Sequence, residues 1–298
     1  MLVLYNKTEL WSQFIKNVQP LENITFYGLR MRSNYHSLLK KILRRLVGNR
    51  LGLKIDFVNS SIEWIEEEKI LLLGIYPIYE LINIFRILGK RKYILWLWNP
   101  VSRTYFKDCS HKISLIKSMG FDIFTFDEKD SVEYGLKHLN QFVSLPKVLP
   151  KCDVLTDVFF VGYPKGREER LTLMQNKFRK MGITTDLHIV KNEKDYLSYE
   201  DNIRHTLNAK CVLEITQNSQ SGMTLRCLEA LFLKKKLITD NTDIINADFY
   251  NPNNIFVIGR DSENNILDFI NSPFIEVDNK IKEKYKFSTW LNSLYNYV

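Results

Sequence analysis

The sequence predicts an α/β protein built from two Rossmann-like domains, and three observations carry that expectation. Short apolar runs rich in β-branched and aromatic residues alternate with segments of helical period, the pattern of parallel sheets flanked by helices. The alternation pauses once, at Leu145-Pro146-Lys147-Val148-Leu149-Pro150-Lys151, where two prolines four residues apart read as an interdomain linker. The chain has 298 residues, 45% of them apolar, enough for each half to bury its own core.

In chain order, the first series offers strands at Asn23–Tyr27, Lys54–Val58, Lys69–Gly74, Tyr93–Trp98 and Asp122–Phe126. Helical stretches lie among them at Tyr35–Val47, Tyr79–Leu88, Ser110–Met119 and Ser131–Leu139. Past the linker come strand Asp157–Val161, helix Glu168–Met181, strand Thr185–Val190, helix Tyr199–Asn208 and strand Lys210–Ile215. Helix Gly222–Leu233, strands Lys236–Thr239 and Ile255–Ile258, and a helix near Glu263–Ile270 complete the second series. The tail from Lys280 to Tyr297 reads as one more amphipathic helix, with Tyr285, Trp290 and Leu294 on one side. The expected domains are therefore 1–150, 151–279 and a terminal helix at 280–298.

The apolar fraction excludes a disordered chain, and 12 Gly with 8 Pro exclude a fibrous one. Residues 1–150 hold 22 Lys/Arg against 14 Asp/Glu, whereas residues 151–298 hold 20 of each, so the whole excess of +8 sits in the first half. The start Met1-Leu2-Val3-Leu4-Tyr5-Asn6-Lys7 lacks the features of a secretory signal, and the longest apolar runs have strand length. A cytoplasmic location is expected. Cys109, Cys152, Cys211 and Cys227 are scattered, with no CxxC and no matching His pair, so no metal or disulfide framework is expected.

Two places in the second half suit phosphate or nucleotide chemistry. The first is Val161-Gly162-Tyr163-Pro164-Lys165-Gly166-Arg167, after a strand and before a helix. Gly162 there admits close backbone approach, while Lys165 and Arg167 add charge for an anion. Such a turn is also compatible with an ordinary strand-to-helix connection. The second is Glu214-Ile215-Thr216-Gln217-Asn218-Ser219-Gln220-Ser221-Gly222-Met223-Thr224-Leu225-Arg226-Cys227-Leu228-Glu229-Ala230. Ser221-Gly222 opens a helix whose backbone donors suit a diphosphate, and Arg226 and Glu229 share a helix face. The alternative is a Ser-capped helix with a surface Arg–Glu pair, but an uncharged, amide-rich loop is less expected there.

These residues resemble the C-terminal, nucleotide-sugar-binding domain of bacterial GT-B glycosyltransferases, in particular the transferases of lipopolysaccharide and capsular polysaccharide assembly. The likeness runs from Asp157 to Ile258. It also includes Tyr199-Glu200-Asp201-Asn202 and Asp248-Phe249-Tyr250-Asn251-Pro252-Asn253-Asn254-Ile255, and is looser at Phe124-Thr125-Phe126-Asp127-Glu128-Lys129-Asp130. The resemblance implies a deep interdomain cleft, a terminal helix crossing back to the first domain, and a UDP-sugar as donor. It implies that Glu229 holds the ribose and that Ser221, Gly222, Met223, Thr224 and Arg226 face the diphosphate. Gly162 would face the donor cleft, with Lys165, Arg167 and Gln217 beside it and the segment after Val190 near the base. The sequence departs from the family at Ser221, where many members carry an acidic residue eight positions before the ribose-binding glutamate.

In the first half, Tyr35–Val47 sets Leu38, Leu39, Ile42, Leu43 and Leu46 on one helical stripe and Lys40, Lys41, Arg44 and Arg45 on the other side. That suits an anionic membrane surface, at about 1 kcal/mol per basic residue, and equally a core helix with a solvated face. A membrane-held, anionic lipid-linked or glycan acceptor matches a basic acceptor domain, peripheral on the inner face of the plasma membrane. No nucleic-acid signature accompanies the charge, and no early GxGxxG suggests an oxidoreductase. A general base would come from the first domain, with Asp127 and His36 as candidates and Asn99 and Tyr199 lining the cleft. With no DxD triplet, no divalent ion and no cofactor are required. The alternative function is a non-catalytic nucleotide- or polyanion-binding module with a degenerate site.

Overall fold

The computed structural model describes residues 1–29, 62–75, 77–104, 106, 110–217 and 222–297. It divides into two compact units, one of Met1–Ser12 with Glu22–Phe124, the other of Gln13–Leu21 with Thr125–Val298. Each is built on an α/β sheet of parallel strands.

The first sheet contains β1 (Leu2–Asn6), β2 (Thr25–Leu29), β3 (Lys69–Leu73), β4 (Lys92–Leu97), β5 (Phe121–Thr125) and the short β6 (Lys137–His138). Their order is β2-β1-β3-β4-β5-β6. β1 pairs in parallel with both β2 and β3, as Leu4 with Tyr27 and with Leu72. Strands inside a parallel sheet are covered on both faces, so β3 reads Lys-Ile-Leu-Leu-Leu and β4 Lys-Tyr-Ile-Leu-Trp-Leu, buried after the leading lysine. Helices α1 (Glu9–Val18), α2 (Ile78–Leu88), α3 (Ser110–Ser118) and α4 (Glu128–Tyr134) connect the strands. The expected strand Lys54–Val58 and helix Tyr35–Val47 lie outside the described residues.

The second sheet is assembled from β7 (Thr156–Gly162), β8 (Thr185–Ile189), β9 (Ala209–Glu214), β10 (Lys236–Thr239) and β11 (Ile255–Val257). Its order is β11-β10-β9-β7-β8, with every neighbouring pair parallel. The connecting helices are α5 (Glu168–Lys180), α6 (Tyr199–Leu207), α7 (Leu225–Phe232) and α8 (Ile266–Asn271). Val158, Phe160, Cys211, Leu213 and Ile238 form a core with Leu171, Phe178 and Phe269. Chain order reverses between β7 and β9, and ligands collect outside the carboxyl ends of strands at such a switch point.

Four expectations are corrected. Leu2–Asn6 is an internal strand followed by a helix, although the sequence suggested neither. The helix expected at Ser131–Leu139 starts earlier and stops at Gly135, which adopts a left-handed φ of 58° and hands the chain to β6. The helix expected from Gly222 begins at Leu225, with Thr224 as its cap. The tail is two helices, α9 (Asn279–Glu283) and α10 (Phe287–Tyr295), because the backbone between them pairs with Val143. Val143 N–H donates to Tyr285 O at 2.9 Å and Phe287 N–H to Val143 O at 3.0 Å.

The same pairing explains why residues 125–150 group with the second unit rather than ending at the linker. Phe142 is fully buried, stacked on Phe287 at 4.3 Å between ring centroids and packed on Trp290 and Phe14. Among the described residues, no helix is long and apolar enough to cross a membrane.

Candidate active site

The site is built at the carboxyl ends of β7 and β9, within the second unit. β7 ends in Gly162, whose lack of a side chain leaves room for two guanidinium groups. A Cβ at residue 162 would lie 2.7 Å from Arg167 Nη2 and 2.8 Å from Arg226 Nη2. Both guanidinium groups rest on the ring of Phe160, at 5.0 and 5.1 Å. Neither is ion-paired with a carboxylate among the described residues. Arg167 is buried and donates to Tyr163 O and Ile215 O, so its role is to fasten backbone. Burial, and then the neighbouring Arg226 cation, pull its pKa down to about 10. Arg226 donates one Nη2–H to Val161 O, while its buried Nε–H has no acceptor among the described residues. Two adjacent cations with an idle donor favour an anion.

The chain between β9 and α7 is held at both ends by charged side chains. Arg170 donates to Thr216 O at 2.6 Å and pairs with Asp240 at 2.7 Å, and Asp240 accepts from Thr216 N–H at 2.7 Å. At the far end, Gly222 N–H donates to Asp127 Oδ2 at 3.0 Å. Gly222 packs so closely on Phe126 that a Cβ would meet its ring at 2.6 Å and its carbonyl oxygen at 3.0 Å. Thr224 then caps α7, accepting from Arg226 N–H at 3.2 Å and donating to the fully buried Glu214. Glu214 also accepts from Thr239 Oγ1 at 2.5 Å and from Cys227 Sγ at 3.3 Å, tying β9, β10 and α7 together.

On the inner face of α7, one helical turn beyond Arg226, lies Glu229, only 3% exposed. Asn202 of α6 donates to its Oε1 at 3.3 Å. Burial raises its pKa to about 7, against the smaller opposing influences of the Arg226 cation, Tyr199 and Asn202. Burial and the adjacent Glu229 carboxyl push the Tyr199 phenol well above its ordinary value.

Of the donor residues named from sequence, Gly162, Arg167, Arg226 and Glu229 converge here, with Gly222 and Thr224 shaping the loop. Lys165 sits exposed at the tip of the β7–α5 turn, at φ 45°, with its ammonium 5.7 Å from the Tyr163 ring. Gln217 and Met223 are half-buried on the two sides of residues 218–221. Ser221, His36, Lys40, Lys41, Arg44 and Arg45 lie outside the described residues. Asn99 is half-buried just past β4, in the first unit.

Two expected roles change. Tyr199 belongs to the core rather than a cleft wall, 5% exposed with its ring 5.1 Å from Phe14. Asp127 is 1% exposed, and its carboxylate accepts from three backbone N–H groups, those of Lys129, Asp130 and Gly222. That geometry makes Asp127 a loop-ordering acceptor. The sequence reading missed Asn202, Arg170 and Asp240 as partners and Glu214 as the organising carboxylate. Glu214 had one local signal, a charge closing the apolar run Cys211-Val212-Leu213.

No protein-family profile matches the sequence, and no curated protein matches it. Among the solved structures that match, two align with 98% of the chain. One is the crystal structure of Anabaena Alr3699/HepE in complex with UDP and glucose, at TM-score 0.45, 9% identity and 94% coverage of that chain. The other is the glycotransferase of kitacinnamycin, at TM-score 0.41, 7% identity and 95% coverage.

Proposed function

We propose that the chain is a GT-B glycosyltransferase that moves a sugar from a nucleoside diphosphate donor, a UDP-sugar, to a hydroxyl of a glycan or lipid-linked acceptor. The observation that carries this reading is the pair of guanidinium groups at Gly162, neither ion-paired with a carboxylate and Arg226 Nε–H without an acceptor among the described residues, one helical turn from a buried carboxyl. Arg226 and the first turn of α7 would bind the diphosphate, and the positive helix end would stabilise the charge that grows as it leaves. Glu229, one turn further, would accept the two ribose hydroxyls, with Asn202 donating to one of its oxygens. The bond from the anomeric carbon to the diphosphate breaks as the acceptor oxygen bonds to that carbon and loses its proton. Charge stabilisation by arginine and helix assigns no step to a divalent ion.

The resemblance of the Asp157–Ile258 run supports a role in assembly of bacterial surface polysaccharide. The basic segment holding Lys40, Lys41, Arg44 and Arg45 would then meet an anionic membrane surface at the cytoplasmic face. UDP or UDP-glucose should raise the melting temperature, also in EDTA, and Glu229→Ala should abolish the shift. Release of UDP from a UDP-sugar separates a transferase from a binding module. Absence of any shift with nucleoside diphosphates would overturn the reading.

A further inference from the structure

The segment Leu149-Pro150-Lys151-Cys152-Asp153-Val154-Leu155 leads into β7 and takes no part in the site above. Leu149, Val154 and Leu155 are 38%, 52% and 70% exposed, and Val148 just before them 84%. Single apolar side chains dot most surfaces, whereas a group this close along the chain makes a patch of the kind that meets a partner.

From Leu149 to Leu155 the chain has no helix, turn or bend. Exposure alternates along its start, with Leu149, Lys151 and Asp153 exposed and Pro150 and Cys152 half-buried, the two-residue period of an extended strand. Leu155 N–H donates to Asn208 O at 2.7 Å, but no backbone group of residues 149–154 is hydrogen-bonded among the described residues. Successive N–H groups of an extended chain point to opposite edges. Asn208 therefore occupies the edge of the odd-numbered residues and leaves open that of Cys152 and Val154. An open, apolar strand edge is a template for another chain.

The odd-numbered side chains, Leu149, Lys151, Asp153 and Leu155, complement themselves when the segment is turned antiparallel about Cys152. Lys151 then meets the second copy's Asp153, and Leu149 meets its Leu155. Neither Lys151 nor Asp153 has an ion-pair partner of its own among the described residues. Along the open edge, Cys152 N–H reaches Cys152 O of the second copy and Val154 N–H reaches its Pro150 O. Pro150, which lacks an N–H, is needed only as an acceptor.

We infer that this face is an interface between two copies of the chain, a twofold-symmetric antiparallel ribbon centred on Cys152. Twofold symmetry uses the same patch on both partners and makes every cross-strand pair twice. Asp153, in the middle of the stripe, opposes an anionic lipid surface but completes a pair with Lys151 of the second copy. A ribbon of this length falls below the roughly 1,200 Å² of a standard interface, so the association belongs to the weak class.

Sedimentation equilibrium of the full chain between about 10 and about 200 µM tests the inference. The mean mass should climb from the monomer toward the dimer over that range. Lys151→Asp and Asp153→Lys should each weaken association about tenfold, because each turns two attractive pairs into repulsive ones. The double variant Lys151→Asp with Asp153→Lys should restore it, and Leu155→Asp should abolish it. All three positions are exposed, so the variants should keep the parent's melting temperature. A monomer throughout, a dimer indifferent to these changes, or a double variant as weak as the single ones would overturn the inference. So would flotation with phosphatidylserine vesicles that Leu155→Asp removes from a chain that stays monomeric. The UDP melting shift involves none of these residues, so the transferase reading and this one fail separately.

Discussion

At the scale of single residues, Glu229 shows how burial sets chemistry. An exposed glutamic acid ionises near 4.3, whereas Glu229, desolvated inside α7, does so at about 7. The folded chain therefore binds a proton that the unfolded chain has already released, and stability falls as pH rises from about 4.5 to about 7. Glu229→Gln should flatten that dependence, removing on the order of 3 kcal/mol of difference between the two ends of the window when unfolding is followed in urea. Ribose hydroxyls bind best to the ionised carboxylate, so UDP affinity should tighten about tenfold between pH 6 and pH 8, measured by calorimetry. Glu229 was legible in the sequence as an acid three residues after Arg226. Its companions Asn202 and Tyr199 come from another helix, and only packing brings them near.

At the scale of elements, the α7 start is the most heavily determined junction in the second unit. Thr224 serves twice, as acceptor for the helix and as donor to a buried carboxylate, so its hydroxyl matters more than a surface cap. Thr224→Val should cost about 2–3 kcal/mol, the sum of a lost cap and a carboxylate left short of a donor. Thr224→Ser should be close to neutral, and denaturant titration of the pair checks the difference. The helix itself was visible from its apolar period, but its first residue was not. Ser221-Gly222 looks like a cap in sequence, yet Gly222 N–H is taken by Asp127, ninety-five residues earlier in the chain. A local rule cannot weigh a partner that distant. The same applies to Gln141-Phe142-Val143, whose non-helical pattern suggests a linker while its side chains complete a core.

At the scale of the whole molecule, the second unit draws on sequence far from its main run. Residues 13–21 join it through Phe14, fully buried against Phe142, Tyr199 and Phe287, while Asn17 and Phe14 O bond to Ser144. Phe14→Ala should cost about 3–5 kcal/mol by opening a cavity among these rings. Hydrogen exchange should then accelerate in α10, over Phe287–Tyr295, more than 270 residues away in sequence. Unchanged protection there would show that α1 is dispensable to this core.

The sequence by itself determined the α/β class, most of the strands and helices after Asp157, and the Gly162, Arg226 and Glu229 constellation. Each of these rests on short-range periodicity or on a turn whose chemistry is local. Tertiary structure alone decided which acids are engaged as backbone acceptors, which arginine is left with an idle donor, and where the second unit takes its core. Those properties depend on desolvation and on partners tens to hundreds of residues apart, which no window along the chain contains.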